Sequence, residues 1–164
     1  MVITTELVKE LRDKTGISVM QCKKALEEVG GDMEKAVALL AERSAEIAGK
    51  KGERTLGAGR VEAYMHSTGT VGTMVEVLCE TDFVANNDEF KKLARDIAMH
   101  ITAVNPQFLK ADETGAEIDP ESVLLNQPFI KNPEVTITKL IQGAVQKFGE
   151  NIEVSRFVRY SVSK

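Results

Sequence analysis

The chain has 164 residues, enough for one well-packed core and a small additional domain. Hydrophobic residues make up 43% and charged residues 28%, which excludes a disordered or collagen-like chain. The 21 basic and 25 acidic residues give a net charge of −4, the wrong sign for a protein whose main partner is a nucleic acid.

The N-terminal part contains three segments with apolar residues at helical spacing. The first predicts a short helix over residues 5–14. Ser18 and Gln21 are typical of a capping box at the start of a second helix, which we expect to end at Gly30. Asp32 is expected to cap the third helix. These segments predict a small three-helix bundle.

The composition changes after the third helix. Residues 49–59, GKKGERTLGAG, combine four glycines with four charges, which is typical of a flexible connection. We therefore predict three parts, a three-helix module over residues 1–48, a linker over 49–58 and a second domain over 59–164.

At the start of the second domain, the spacing of apolar residues changes from helical to alternating. Alternating side chains on both sides of Ser67–Thr70 predict a β-hairpin. Two amphipathic helices follow, one from Asn87 or Asp88 to before Pro106 and one from Thr136 to Gly149, and residues 152–162 predict a last strand. Residues 107–122, between the helices, are acidic and poorly periodic. The predicted fold class is α+β, with an antiparallel sheet and helices packed on one face.

Two features suggest enzyme chemistry but are weak. Residues 52–59 are rich in glycine, yet they lack the Gly-Lys-Ser/Thr ending of a phosphate-binding loop. Cys79 and His66 could pair across the hairpin as thiol and base. Both cysteines, Cys22 and Cys79, lie on apolar stripes, where a free cysteine usually behaves as a small hydrophobic residue.

Acidic residues give a third candidate. Glu76, Glu80 and Asp82 could act as acid and base or bind a metal, but their spacing fits a solvated strand face and loop equally well. The histidines and cysteines complete no metal-ligand spacing. We therefore expect no catalytic residue, no metal site and no cofactor. No run of about 18 apolar residues occurs, so we expect no membrane partner.

Phe83 stands in the loop between the hairpin and the following helix, directly after Asp82. One interpretation is that Phe83 folds back into the core. The alternative is an exposed apolar wedge with an adjacent carboxylate, the kind of anchor that fills a pocket in a partner.

Two long segments resemble the signatures of a known family. Residues 11–26 (LRDKTGISVMQCKKAL) and 76–86 (EVLCETDFVAN) are similar to the two signatures of elongation factor Ts, the guanine-nucleotide exchange factor of elongation factor Tu. Later segments resemble that family in the same order, namely AMHITAVNP (98–106), VLLNQPFIKNP (123–133) and GENIEVSRFVRY (149–160). The resemblance runs nearly from end to end.

This resemblance implies that the N-terminal helices form a ubiquitin-associated-type module that docks on the nucleotide domain of elongation factor Tu. Val19 and Met20 would supply the contact, with Arg12 and Lys23 nearby. Methionine adapts to irregular surfaces, and the cations suit an acidic helix. The alternative for Met20 is a place in the bundle core.

For the second signature, the resemblance implies a wedge that opens the partner's nucleotide site. The turn formed by Thr81, Asp82, Phe83 and Val84 would intrude beside the switch helix of elongation factor Tu, and Asp82 would disturb the shell of the bound Mg²⁺. A histidine that assists the phenylalanine in the family corresponds to His100. The alternative for His100 is a helix-face histidine near a C-terminus.

The chain departs from the family pattern in two places. Leu78 stands where the family usually has asparagine. Family members also carry a helical hairpin between the positions of Pro106 and Val123, and here only the 16 residues 107–122 intervene, five of them acidic. We expect a compact form without that hairpin.

The expected partner is elongation factor Tu, both GDP-bound and nucleotide-free, in the cytoplasm of a bacterium or alternatively in an organelle matrix. The number of copies in solution stays open. Two competing functions are a ubiquitin-like recognition adaptor, which would need only residues 1–45, and a nucleotide- or thiol-dependent enzyme. An adaptor would bind without the second domain, and a thiol enzyme would lose turnover in Cys79→Ser.

Overall fold

The computed structural model describes residues 2–51, 55–112 and 117–163. Within these ranges the helices are α1 (Thr5–Thr15), α2 (Val19–Glu28), α3 (Met33–Lys51), α4 (Asp82–Ala85), α5 (Asp88–Val104) and α6 (Ile137–Phe148). The strands are β1 (Ala58–Met65), β2 (Val71–Cys79), β3 (Pro128–Phe129), β4 (Asn132–Thr136) and β5 (Glu153–Ser161). Over the same residues, no helix is both long and apolar enough to cross a bilayer.

The first two helices begin at hydroxyl caps, and the cap of the second is the predicted Ser18. The Thr4 hydroxyl accepts the Leu7 amide at 3.3 Å, and the Ser18 hydroxyl accepts the Gln21 amide at 3.4 Å. The capping-box prediction is wrong in its second half, because the Gln21 side chain does not return to the cap. Its Nε2 instead donates to the Gln146 carbonyl on α6 at 3.5 Å. The helix after Ser18 ends at Glu28, two residues before the predicted end.

The structure corrects the limits of the predicted linker over 49–58. Residues 49–51 continue α3, and Ala58 already belongs to β1. Residues 52–54 of that prediction lie outside the described residues. Lysine is a good helix former and one glycine costs only about 1 kcal/mol in a helix, so the composition of residues 49–51 does not end α3.

The three N-terminal helices pack against α6 of the second part. Ser44 Oγ on α3 lies 3.0 Å from Gln146 Oε1, in a buried contact. Gly143 faces the main chain at Thr15 and Gly16 so closely that an added Cβ would lie 3.5 Å from it. The apolar cores remain separate clusters, one in α1–α3 and one around the sheet, α5 and α6.

The sheet has the order β1–β2–β5 and is antiparallel throughout. Its inner face packs on α5 through Val75, Val77 and Val154, all nearly inaccessible to solvent. The opposite face is open, and Met74 and Val158 are exposed there as register partners. The structure therefore confirms the predicted α+β class, with a long helix on one sheet face.

The two ends of the segment that follows α5 are hydrogen-bonded to each other. Asn105 ends α5 in a left-handed conformation, with φ of 54°. The Gln107 amide then donates to the Ser122 carbonyl at 2.9 Å, and the Leu124 amide donates to the Phe108 carbonyl at 2.8 Å. These bonds bring the two ends of the acidic segment together. Residues 113–116 of that segment lie outside the described residues.

Candidate partner-binding site

The turn after β2 is built by side-chain caps. Thr81 is the N-cap of α4, and its hydroxyl accepts the Val84 amide at 3.4 Å. Asn87 then caps α5 by accepting the Glu89 amide at 2.9 Å. These successive caps make a sharp corner of one helical turn between the sheet and α5.

Phe83 lies on the outside of this corner. Its residue is 84% exposed, while the following Val84 and Ala85 are buried in the core. Asp82 is exposed beside it. The interpretation of Phe83 as a core residue is therefore wrong. The single turn of α4 directs Val84 and Ala85 inward, so the preceding two residues face solvent.

A residue that sequence reasoning missed braces this corner. Glu150, between α6 and β5, accepts the Glu80 amide at 3.0 Å and the Thr81 amide at 3.1 Å through Oε2. Its Oε1 accepts the Thr81 hydroxyl at 2.5 Å. In return, Glu80 Oε1 accepts the Asn151 amide at 2.8 Å. Glu150 is 69 positions from Thr81, and the only sequence signal was its place in the segment GENIEVSRFVRY.

Cys79 lies beneath the same corner. Its thiol is buried and donates to the Thr81 carbonyl at 3.3 Å. Burial, and then the nearby charge of Glu150, raise the pKa of the Cys79 thiol. A nucleophilic thiol needs a lowered pKa, so this environment favours a structural role.

The proposed thiol–histidine pair does not form. In the hairpin register Cys79 lies opposite Ala58, whereas His66 follows Met65 at the other end of β1. His66 is eight positions from Ala58 along the chain, which is about 26 Å at the usual rise of a strand. The prediction that Cys79 and His66 could pair is wrong.

The three acidic candidates also face different neighbours. Glu76 on β2 accepts the hydroxyl of Ser155 on β5 at 2.5 Å. Its carboxylate also lies 3.3 Å from Arg156 Nη2 on the same strand. The Ser155 hydrogen bond, followed by Arg156, lowers the pKa of Glu76. Glu80 is directed to Asn151, and Asp82 is exposed on the turn. Among the described residues, no group of three or more acidic, histidine or cysteine side chains is arranged to hold a metal ion.

His100 lies away from the turn. It is fully buried near the C-terminal end of α5, about 18 Å along the helix from Asp88. Its Nε2 lies 2.9 Å from Gln127 Oε1, and its Nδ1 accepts the Ile130 amide at 3.2 Å. Burial lowers the pKa of His100. The structure therefore does not bring His100 together with Phe83. His100 lies near the C-terminal end of α5, as in the alternative interpretation, with its side chain buried.

The N-terminal candidates form an exposed patch on α1 and α2. Val19 is 54% and Met20 69% exposed, so the assignment of Met20 to the bundle core is wrong. Arg12, Val19 and Lys23 line one groove of about 230 Å³. Apolar surface bordered by cations is thus present where the sequence predicted docking.

These features define an α+β protein with two exposed apolar anchors, Phe83 and the Val19–Met20 pair, both suited to contacting another protein. A family model described as "Elongation factor TS" matches residues 3–119. Elongation factor Ts of Heliobacterium modesticaldum is 44% identical over 195 aligned positions, covering 99% of this chain and 91% of that protein. Elongation factor Ts of Alkaliphilus metalliredigens is 42% identical, covering 100% of this chain and 91% of that protein. The chain therefore belongs to the elongation factor Ts family.

The relatives are longer than this chain. The Heliobacterium alignment spans 195 positions against 164 residues here, so at least 31 positions are filled only by the relative. That difference agrees with the expected absence of an internal segment, although its place in the fold stays a prediction. Leu78, which stands where the family usually has asparagine, lies over Gly59. Its Cδ2 is 3.1 Å from the position that a Cβ at Gly59 would take.

Proposed function

We propose that this chain binds elongation factor Tu and accelerates release of GDP without covalent chemistry. Membership of the elongation factor Ts family supports the general role in translation elongation. The observation that carries the specific mechanism is Phe83, 84% exposed on a braced corner beside Asp82. An exposed phenylalanine on a fixed corner, with a carboxylate beside it, is the kind of anchor that fills an apolar pocket in a partner.

In this mechanism Phe83 is a wedge. The exposed part of a phenylalanine amounts to about 170 Å², and covering its side chain in a partner would yield about 2–3 kcal/mol. Asp82 would enter beside Phe83 and disturb the side chains and waters around the partner's Mg²⁺. Because Mg²⁺ requires near-ideal octahedral geometry, a small displacement of its ligands loosens the nucleotide.

Exchange then follows from linkage. If the chain binds nucleotide-free elongation factor Tu more tightly than the GDP-bound form, it must weaken GDP by the same factor. A coupling free energy of about 4 kcal/mol corresponds to roughly a thousandfold. Neither GDP nor Mg²⁺ needs to bind this chain itself, and no cofactor is required.

The exposed patch on α1 and α2 would dock on the partner's nucleotide domain. Val19 and Met20 supply apolar area, and Arg12 and Lys23 supply positive charge for an acidic partner surface. Docking and wedge are therefore separate functions on separate elements. His100 would act indirectly, by holding the segment at Gln127 and Ile130 rather than by touching Phe83.

We place this function in the cytoplasm of a bacterium, because the relatives named above are bacterial proteins. The proposed partner is elongation factor Tu, in both its GDP-bound and its nucleotide-free state. The mechanism requires neither nucleic acid nor a membrane.

Release of fluorescent GDP from elongation factor Tu tests the proposal. We expect the wild-type chain to accelerate release, and Asp82→Asn to slow it by about tenfold at saturation. Asp88→Asn is the matched control, because it removes the same charge six positions along at another exposed helix start. No acceleration by the wild-type chain, at concentrations where binding is measured directly, would refute the proposal.

A further inference from the structure

Glu150 brings together two connections that are far apart in sequence. The first joins β2 to α4 and contains Glu80 and Thr81, and the second joins α6 to β5. Since β2 and β5 are neighbours in the sheet, with Leu78 opposite Glu153, both connections lie at the same end of the two strands. Gly149 ends α6 in the left-handed conformation, with φ of 67°, directly before Glu150.

The two connections exchange four hydrogen bonds. Three end on the carboxylate of Glu150, at 3.0, 3.1 and 2.5 Å, and the fourth joins the Asn151 amide to Glu80 at 2.8 Å. Hydrogen bonds to an ionised acceptor are shorter and stronger than those between neutral groups. We call this arrangement the Glu150 clamp.

The clamp also orients the cap of α4. The Thr81 hydroxyl has one proton, and it is directed to Glu150 Oε1. A lone pair of the same oxygen is thereby left to accept the Val84 amide at 3.4 Å, which caps α4. Phe83 lies between Thr81 and Val84, so the clamp fixes the backbone on which Phe83 is carried.

Phe83 itself contributes little to that positioning. Being 84% exposed, its ring has few contacts that could hold the turn in place. A wedge held rigidly before binding loses less conformational entropy on insertion than a mobile one. The buried Val84 and Ala85 fix one side of the corner, and the Glu150 clamp fixes the other.

From these contacts we propose that Glu150 is a positioning residue for nucleotide exchange, which acts by holding the Thr81 corner and thus the Phe83 wedge. This proposal rests on the exchange function proposed above. Glu150 need not touch elongation factor Tu, and its carboxyl oxygens are directed at Glu80 and Thr81.

The test compares Glu150→Ala, Glu150→Gln and the control Glu153→Ala in fluorescent GDP release. Glu153 is a suitable control because it lies three positions away, half-exposed and paired with Lys110 at 3.2 Å. We expect Glu150→Ala to lower the maximal release rate by about tenfold while half-saturation changes less than about twofold, since docking uses α2. Glu153→Ala should match the wild type.

Glu150→Gln separates positioning from a direct charge effect. A glutamine can direct its oxygen to the two amides and its NH₂ group to the Thr81 hydroxyl, so it preserves the clamp without the charge. We expect Glu150→Gln to retain exchange within about threefold of the wild type. A Glu150→Gln rate as low as that of Glu150→Ala would overturn the positioning role, and so would an unchanged rate in Glu150→Ala.

Amide hydrogen exchange of the free chain tests the clamp without a partner. We expect the amides of Glu80, Thr81 and Val84 to exchange at least about tenfold faster in Glu150→Ala, and near the wild-type rate in Glu150→Gln. Unchanged protection in Glu150→Ala would overturn the clamp. A wild-type chain that releases no GDP would refute the exchange function and the positioning role together, while the amide rates would still decide whether the clamp holds the turn.

Discussion

Phe83→Ala should separate stability from function. The side chain is only slightly buried, so its truncation removes about 30 Å² of buried apolar area, worth about 0.8 kcal/mol. For a chain of this length that loss lowers Tm by about 2–3 °C. In the complex, however, the same truncation removes the wedge, whose contribution of about 2–3 kcal/mol corresponds to roughly 30- to 150-fold in binding.

Two measurements on Phe83→Ala test this prediction. Thermal unfolding followed by circular dichroism should show the small change in Tm, and fluorescent GDP release should fall at least about tenfold. Tyr160→Ala is the matched control, because Tyr160 is a 77% exposed aromatic residue on β5, away from the turn. It should keep both Tm and exchange.

Phe90→Ala gives the opposite contrast. Phe90 is fully buried on α5, so the same truncation should cost about 3–5 kcal/mol. If Phe83→Ala destabilised the chain as much as Phe90→Ala, or left exchange intact, the assignment of Phe83 as an exposed wedge would be refuted.

Substitutions at three further positions test other parts of the structure. Met20→Ala should raise the half-saturation concentration for exchange by about tenfold and leave the maximal rate within about twofold, and an unchanged half-saturation would remove Met20 from the docking surface. Because burial lowers the pKa of His100, the unfolded state binds more protons below about pH 6.5. The free energy of unfolding should therefore fall by up to about 1.4 kcal/mol between pH 7.5 and 5.5 in urea titrations. His100→Gln should reduce this dependence, and an unchanged slope in His100→Gln would contradict the assignment to His100. Gly143→Ala should be neutral or stabilising by up to about 1 kcal/mol, because its Cβ would lie 3.5 Å from the main chain of Gly16, an ordinary contact. Gly143→Leu should lower Tm, and a higher Tm would mean that α1 and α6 are not in close contact.

The helices α1–α3, α5 and α6 and the three-stranded sheet were predictable because their signals are local, whereas α4 and the β3–β4 pair were not predicted. Ser18 caps α2, Thr136 caps α6 and Gly149 ends it, as their residue types and neighbours indicate. Where a longer-range contact competes, local patterns fail. Gln21 fits a capping box, yet its side-chain Nε2 donates to the Gln146 carbonyl, 125 positions away.

The candidate site was predictable only in part. Residue type and position single out Phe83, but its exposure depends on which way α4 turns, and that follows from the burial of Val84 and Ala85. His100 has the same sequence signal whether it faces solvent or the core, and the structure buries it against Gln127. Glu150 has no local signal, because its role arises only from the pairing of β2 with β5.

Binding of this chain to elongation factor Tu in two nucleotide states tests exchange by linkage most directly. Isothermal titration should give a Kd for the nucleotide-free form at least about tenfold lower than that for the GDP-bound form, because a factor that weakens GDP must itself be weakened by GDP. Equal Kd values for the two forms would mean that the chain only docks, and exchange driven by the Phe83 wedge would be contradicted.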